Sequence, residues 1–214
     1  MQQVVHTILH FNQTLFPLVQ ASGNWSYLLF FLIIFAETGL VVFPYLPGES
    51  LIFFTSSIAA VDANTLDIYK LTAVFFFAAL LGDTVNYTIG RHLERLTIFK
   101  RYIPVSKLLT AQRFFKRHGG KTVVFGRFVP FIRTFIPLIS GTVHMKFSRF
   151  SLYNLLGVSL WVGVAVITGY FFGRIPIVQQ HFSLIFIGIA LLAIIPSAIF
   201  GLIKFLRRKK ETQI

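Results

Sequence analysis

Residues 35–50 read FAETGLVVFPYLPGES, and this stretch decides how the chain is interpreted. It places two glutamates, Glu37 and Glu49, and two prolines, Pro44 and Pro47, between the oily flanks YLLFFLIIF and LIFFTSSIAA. A core helix would not carry two prolines three residues apart, because each removes a backbone donor and clashes with the preceding turn. A surface loop would not have such apolar flanks. The stretch therefore predicts a broken backbone inside a membrane.

The composition of the whole chain agrees with a membrane environment. Only 13% of the residues are charged, 55% are hydrophobic and the mean hydropathy is +0.74, whereas a soluble domain is nearer 25% charged. The net charge of +13 comes largely from two basic clusters, Arg91–Lys121 and Lys204–Lys210. Such clusters are typical of cytoplasmic segments under the positive-inside rule, and no nucleic-acid-binding module is visible. We expect an all-α integral membrane protein that binds no nucleic acid.

We expect three regions along the chain. These are an interfacial N-terminal helix over 1–24, a membrane domain over 25–175, and a C-terminal transmembrane helix with a basic tail over 176–214. Apolar runs long enough to cross the roughly 30 Å hydrocarbon core occur at 71–90, 150–173 and 182–203. The first 13 residues lack the basic region of a cleavable signal, so we expect residues 1–22 to remain in the mature protein.

Two further segments are oily but broken, and we predict that both are re-entrant helical hairpins. They lie near 26–60 and 122–145. Non-helical backbone is tolerated at membrane depth only when it is buried in protein or lines a wet cavity. The residues predicted to break the hairpins are Pro44, Pro47, Gly48, Pro130, Pro137 and Gly141.

The charges of the loops predict which side each hairpin enters from. The acidic loop 61–70 lies outside and the basic segment 91–121 inside, so the first hairpin enters from the outside and the second from the inside, and the C-terminus is cytoplasmic. The side of the N-terminus stays open. The stretches FPYLPGES and FIPLISGT share a proline with a glycine four residues later, which favours an inverted repeat, although two proline-rich loops can also converge.

Three acids lie in or beside these apolar segments, namely Glu37, Glu49 and Asp83. An ionised carboxylate at the bilayer centre costs about 2.5–3.5 kcal/mol, so each must pair with a cation or take up a proton. Two Gly/Pro-interrupted apolar segments in matching positions point to the binding site of a transporter, so we predict that these acids couple transport to protons. The alternatives are fixed ion pairs and, for Glu49, a cap on a helix beginning at Ser50.

Arg127 and Arg133 lie in the second hairpin and require anions there. The planar guanidinium matches phosphate in a bidentate manner. We predict that both arginines bind the phosphate of a substrate; the alternative is that they pair only with the three acids. We expect structural hydrogen bonds, rather than contacts with a ligand, from Tyr45, Asn86 and Tyr87. We expect close helix packing at Gly169 and Gly173.

Three ordered motifs resemble the DedA family of bacterial inner-membrane proteins with the VTT domain. They are ETGL (37–40) with PYLPGES (44–50), GDTVNYTIGR (82–91), and GRFVPFIRTFIPLISG (126–141) with Met145 beyond it. The resemblance implies two opposed re-entrant hairpins and lipid transport across the bilayer, of undecaprenyl phosphate or phosphatidylethanolamine, driven by the proton motive force. It places the important acids of the family at Glu37 and Glu49 and its important arginines at Arg127 and Arg133. Many members have aspartate where this chain has Glu49, which leaves fine specificity at that position open.

The residues and the resemblance together predict a flippase of the bacterial plasma membrane. It would return undecaprenyl phosphate across the membrane with proton coupling, using an anionic lipid and protons as partners and no cofactor, metal or catalytic residue. Rival hypotheses are a phosphatidylethanolamine translocase, an uncoupled scramblase and a proton-coupled ion or solute transporter. A lipid-processing enzyme is disfavoured, because no nucleophile with its base and no short acidic metal motif is present. A homo-oligomer is compatible with the sequence.

Overall fold

The computed structural model describes residues 22–39, 48–92, 115, 117, 119–129 and 132–176, and over these ranges it contains helices and no strands. In chain order the helices are α1 (Trp25–Gly39), α2 (Gly48–Val61), α3 (Ile68–His92), α4 (Lys121–Phe125), the 3₁₀ helix η1 (Gly126–Phe128), α5 (Ile132–Thr142) and α6 (Phe147–Gly173). The all-α prediction is confirmed for the described part of the chain. The predicted span at 182–203 and almost all of the predicted N-terminal helix lie outside it.

Two helices are long and apolar enough to cross a membrane. They are α3, with 25 residues, and α6, with 27 residues, and they correspond to the predicted spans at 71–90 and 150–173. At 1.5 Å per residue each exceeds about 35 Å. One side of α6 exposes large apolar side chains such as Leu152, Leu156 and Leu160, as expected of a surface that faces lipid.

The remaining helices are too short to cross. The 15 residues of α1 and the 14 residues of α2 each span roughly 20 Å. We refer to α1 and α2 as the first helix pair, and to α4, η1 and α5 as the second helix pair. Pro44, Pro47 and Pro130, which are predicted to break the chain within these pairs, lie outside the described residues. The depth of either pair in a bilayer stays a prediction.

Helix α1 begins near the loop 62–67, and helix α2 ends beside it. The Tyr27 hydroxyl of α1 accepts a hydrogen bond from the backbone N–H of Asp67 at 2.8 Å, and Gly39 at the other end of α1 packs against Gly82 in the middle of α3. Helix α2 instead packs against α6, where Ser57 donates a hydrogen bond to the Gly169 carbonyl at 2.8 Å. The first pair therefore bridges the two spans.

The loop itself is stabilised by two aspartates. The Thr65 hydroxyl donates a hydrogen bond to Asp62, and the backbone N–H groups of Asn64 and Thr65 donate two more. These hydrogen bonds, with the Thr65 hydroxyl first, hold the pKa of Asp62 below its ordinary value. Asp67 accepts from the N–H groups of Tyr69 and Lys70 and so caps the first turn of α3.

The second helix pair contacts the spans from the opposite end. Helix α4 packs against α6, where Gly157 lies against the backbone of Val124. Helix α5 packs against α3, and a Cβ placed on Gly90 would lie 2.8 Å from the carbonyl carbon of Leu138. Small residues thus allow the close backbone approach that helices use to associate in lipid.

The prediction that Pro137 and Gly141 break the second hairpin is wrong. Pro137 lies inside α5 and Gly141 is one residue before its end, so the helix continues through both positions. The helix tolerates Pro137 with the loss of one backbone bond to the Arg133 carbonyl, and Gly141 provides close contact with the backbone of Tyr87 and Gly90. Because Gly48 begins α2 whereas Gly141 lies near the end of α5, the proposed match of FPYLPGES with FIPLISGT does not place equivalent residues at equivalent positions.

A polar layer separates two hydrophobic clusters. The larger cluster joins the first pair to the spans and includes Phe30, Ile34, Ile52, Phe54, Leu71, Phe75 and Trp161. The smaller cluster joins the second pair to the spans and includes Tyr87, Phe115, Val123, Ile136 and Phe150. Between them lie the buried polar residues Glu37, Asp83, Asn86, Arg127 and Asn154, where the two helix pairs meet.

Candidate functional site

The charged residues of this layer come from the ends of helices. Glu37 lies in the last turn of α1 and Glu49 in the first turn of α2. Arg127 lies in η1 and Arg133 is the second residue of α5. Only Asp83 comes from the middle of a span, α3. The structure thus brings together all five charged residues that the sequence singled out.

Arg133 joins the two helix pairs. One of its terminal nitrogens pairs with Glu37 Oε1, and the other lies 2.6 Å from Glu49 Oε1. Glu37 is 1% exposed as a side chain and Glu49 is 38% exposed. The guanidinium therefore holds a carboxylate from each helix of the first pair, one sealed from solvent and one partly open.

Arg127 is bound to the two spans. Its Nη1 atom lies 2.5 Å from Asp83 Oδ2 on α3 and donates a hydrogen bond to Asn154 Oδ1 on α6 at 2.9 Å. The side chains of Arg127 and Asp83 are 8% and 4% exposed. Breaking such a buried pair by removing one partner typically costs about 3–5 kcal/mol, since the remaining charge has no compensation.

The N-terminus of one helix contacts the Arg133 system. Glu37 lies against Gly48, the first residue of α2, so closely that a side chain at Gly48 would overlap its carboxylate. Arg133 itself lies in the first turn of α5. The first backbone N–H groups of a helix have no acceptor within the helix and attract anions. The carboxylate of Glu37 thus occupies a place suited to an anion.

Asn86, in the C-terminal half of α3, ties the two helix pairs together. Its side-chain amide donates hydrogen bonds to the Thr38 carbonyl at 3.1 Å and to the Thr134 carbonyl at 2.7 Å. Thr38 belongs to the last turn of α1, whose carbonyls lack intrahelical partners. The neighbouring Tyr87 donates to the Met145 carbonyl and stacks on Phe150. Both residues serve as structural hydrogen-bonding groups, whereas Tyr45 lies outside the described residues.

A small cavity lies beside both arginines. It is lined by Thr38, Asp83, Arg127, Arg133, Thr134 and Trp161, and it has room for about one water molecule. A phosphate group does not fit unless the helix pairs separate or the carboxylates withdraw. In the described conformation, the carboxylates are therefore paired with the arginines.

Sequence reasoning missed Trp161 and Asn154, whose side chains contact the arginines. The guanidinium carbons of Arg127 and Arg133 lie 5.5 and 5.3 Å from the centre of the Trp161 ring. Asn154 carried a usable signal, because a buried amide inside an apolar span requires a partner just as Asp83 does. Trp161 carried none, since tryptophan in an apolar helix is equally typical of packing.

The position of Glu49 differs from the alternative prediction that it caps a helix beginning at Ser50. Helix α2 begins at Gly48 and not at Ser50, so Glu49 lies within the first turn and not before it. Its carboxylate still lies at the positive end of the helix dipole, which favours a negative charge there. Its ion pair with Arg133 is the contact that links it to the second helix pair.

The fold and the site define a class of protein: a helical membrane protein with charged residues enclosed where two short helix pairs meet between two long apolar helices. The model of the VTT domain family matches residues 46–171. The chain is 42% identical to "Protein DedA" of Escherichia coli over 97% of its own length and 94% of the relative. The chain therefore belongs to the DedA family of VTT-domain membrane proteins.

More distant relatives are also described as membrane proteins. The chain is 38% identical to "Uncharacterized membrane protein ML0287" of Mycobacterium leprae, over 78% of this chain and 75% of that protein. It is 30% identical to "Inner membrane protein YghB" of Escherichia coli, over 86% of this chain and 85% of that protein. No solved structure matches the chain. These names support a multi-pass protein of the bacterial inner membrane.

Proposed function

We propose that the protein is a proton-coupled lipid translocase that moves a phosphate-bearing lipid, undecaprenyl phosphate first among the candidates, between the leaflets of the bacterial inner membrane. The protein would transport the lipid without changing it chemically. The polyprenyl tail stays in the lipid, and only the phosphate passes between the two helix pairs.

The observation that carries the proposal is the position of Arg133. This cation belongs to the second helix pair and is held by Glu37 and Glu49 of the first. Any movement that separates the helix pairs must break these two ion pairs, and an isolated buried charge is costly. A phosphate is the anion best able to replace both carboxylates on one guanidinium, because it accepts hydrogen bonds in the same bidentate manner.

The surroundings of Arg133 favour the same ligand. The N-terminus of α2 lies beside it, and N–H groups at helix N-termini bind phosphate in many proteins. Arg127 lies beside the same cavity and adds positive potential while it remains paired with Asp83. The site thus provides the elements of an anion site that carboxylates fill in this conformation.

The charges of the site explain how phosphate binding would be coupled to proton uptake. Three carboxylates, Glu37, Glu49 and Asp83, face two guanidiniums, Arg127 and Arg133. If Glu37 and Glu49 each take up a proton as a phosphate dianion arrives, the total charge of the site does not change. If they stay ionised, the phosphate would add its charge to a buried site that is already negative, which a low-dielectric interior opposes. Protons supplied from the outer side would therefore drive phosphate binding there.

The packing of the helices supports re-entrant hairpins related by an inverted repeat. In each helix pair the first helix packs against the span that follows it, α1 on α3 and α4 on α6, and the second helix packs against the other span. Exchange of the two pairs and the two spans leaves this pattern unchanged. We propose that the acidic loop 62–67 faces outward, and that the exposed Lys121, Lys146 and Arg149 face the cytoplasm, as does the C-terminus.

The experiment that tests the function is transport in liposomes. Purified protein is reconstituted with labelled undecaprenyl phosphate, and exchange between leaflets is followed with and without an imposed pH gradient. We expect gradient-driven exchange in the wild type and none in Arg133→Gln/Glu37→Gln. The double substitution removes both charges of one pair, so that no buried charge is left alone. Arg149→Ala, which changes an exposed arginine in the first turn of α6, is the matched control and should transport normally.

The outcomes separate the rival functions. Exchange of undecaprenyl phosphate and of labelled phosphatidylethanolamine at equal rates without any gradient would indicate a scramblase. Gradient-driven exchange of phosphatidylethanolamine alone would assign the other lipid. Proton-driven uptake of an ion or solute with no lipid exchange would contradict the proposal, as would full activity in Arg133→Gln/Glu37→Gln.

A further inference from the structure

Both arginines of the site share one aromatic partner. Trp161 lies on α6 and is 6% exposed, and the guanidinium carbons of Arg127 and Arg133 lie 5.5 and 5.3 Å from the centre of its ring. A cation within about 6 Å of an indole is attracted by the negative face of the ring, and tryptophan is the strongest aromatic partner. The ring also lines the cavity beside Arg127 and Arg133.

The attraction of the ring differs from that of the carboxylates in one respect. Glu37 and Glu49 lose their hold on Arg133 when they take up protons, because their charge disappears. The indole has no titratable group in the accessible range, so its attraction for Arg133 is the same before and after protonation. During the step in which the carboxylates release Arg133, Trp161 still attracts the guanidinium toward the cavity.

We propose that Trp161 is a positioning residue of the phosphate site, which keeps both guanidiniums beside the cavity while Glu37 and Glu49 release Arg133. This inference deepens the proposed function and rests on it. It assigns to α6 a role in the site that the acids and arginines alone do not reveal. Without the ring, Arg133 would be free to turn away, and the phosphate would have to pay the entropy of ordering it.

Two substitutions separate this role from packing in the hydrophobic cluster around Trp161. Trp161→Phe keeps an aromatic face, and Trp161→Met fills space with a flexible side chain that has none. In the liposome assay we expect Trp161→Met to raise the lipid concentration for half-maximal transport roughly threefold to tenfold, with the maximal rate changed less than about twofold. Trp161→Phe should recover most of the loss. A packing role alone predicts similar behaviour of the two variants and a fall in the maximal rate.

Fluorescence tests the inference without substituting Trp161. The chain has two tryptophans, and Trp25 is 74% exposed, so Trp25→Phe leaves Trp161 as the single reporter. We expect its emission to change when a water-soluble, short-chain isoprenyl phosphate is added in detergent at mildly acidic pH, and not when the matching isoprenol is added. The change should disappear in Trp25→Phe/Arg133→Gln/Glu37→Gln.

Each outcome bears on one claim. Transport by the wild type combined with unchanged half-maximal concentration in Trp161→Met would overturn the inference and leave the proposed function standing. An emission of Trp161 that ignores the isoprenyl phosphate would likewise overturn the inference. Absence of transport in the wild type would contradict the proposed function itself.

Discussion

The two arginines of the polar layer lie beside the same indole but are held in different ways. Arg127 is bound by Asp83 of α3 and Asn154 of α6, so both of its partners belong to the long spans. Arg133 is bound by Glu37 of α1 and Glu49 of α2, so both of its partners belong to the opposite helix pair. One system anchors the second helix pair to the spans, and the other closes the contact between the pairs.

The difference in partners indicates a difference in role. The Arg127 system has no side chain more than 8% exposed, and no carboxylate in it is open to solvent. The Arg133 system includes Glu49, whose side chain is 38% exposed and so is partly open to its surroundings. The sequence presents Arg127 and Arg133 as equals, whereas the different partners lead us to propose that Arg127 is chiefly structural and that Arg133 exchanges its partners.

The largest effect is expected when the Arg127 system loses one partner. Arg127→Ala leaves Asp83 as an unpaired buried carboxylate and should lower the free energy of unfolding by about 3–5 kcal/mol. Arg127→Gln/Asp83→Asn removes both charges and should recover most of that loss. Denaturant unfolding in detergent measures both variants. A single substitution as stable as the wild type would show that the pair is not a fixed anchor.

A smaller effect is expected where the second helix pair packs on the span. A methyl group at Gly90 would meet the backbone of Leu138, so Gly90→Ala should destabilise the protein by about 1–3 kcal/mol. Gly163 on α6 has open space where its Cβ would lie, and Gly163→Ala is the matched control. The control should be neutral or slightly stabilising, because alanine favours helix. Equal melting temperatures for the two variants would contradict the close α3–α5 packing.

The two carboxylates on Arg133 should contribute unequally to transport. Glu37→Gln removes the buried partner, and we expect gradient-driven exchange to fall at least about tenfold, which corresponds to about 1.4 kcal/mol in the barrier. Glu49→Gln removes the partly exposed partner and should have a smaller effect. Initial rates at a series of imposed pH gradients measure both. If Glu49→Gln proves the more damaging, the buried carboxylate is not the principal proton site.

The smallest effect is expected at the loop between α2 and α3. The pKa of Asp62 is lowered in the folded protein, so its contribution to stability is complete above the ordinary pKa and disappears as the pH falls through the folded value. Asp62→Asn should therefore narrow the difference in stability between pH 6 and pH 3, with no effect on transport. Thermal unfolding at a series of pH values checks this. An unchanged pH dependence of stability would show that the ionised Asp62 does not stabilise the folded protein.

The sequence predicted the parts of this fold that depend on local pattern. The spans α3 and α6 followed from long apolar runs, whereas the predicted break at Pro44 and Pro47 lies outside the described residues. The same reasoning that flagged Asp83 inside a span would have flagged Asn154. It could not predict which acid binds which arginine, because that depends on how helices cross. For the same reason the position of Pro137 inside α5 and the place of Trp161 beside both arginines were accessible only from the structure.

In the proposed cycle, phosphate replaces the carboxylates on Arg133 as they take up protons. The direct measurement is proton uptake by the detergent-solubilised protein, in weak buffer with a pH indicator, when the short-chain isoprenyl phosphate is added. We expect uptake of up to two protons per phosphate bound in the wild type, matching Glu37 and Glu49. In Glu37→Gln/Glu49→Gln we expect binding without uptake. Binding to the wild type without proton uptake, or equal uptake in both proteins, would show that phosphate does not replace protonated carboxylates on Arg133.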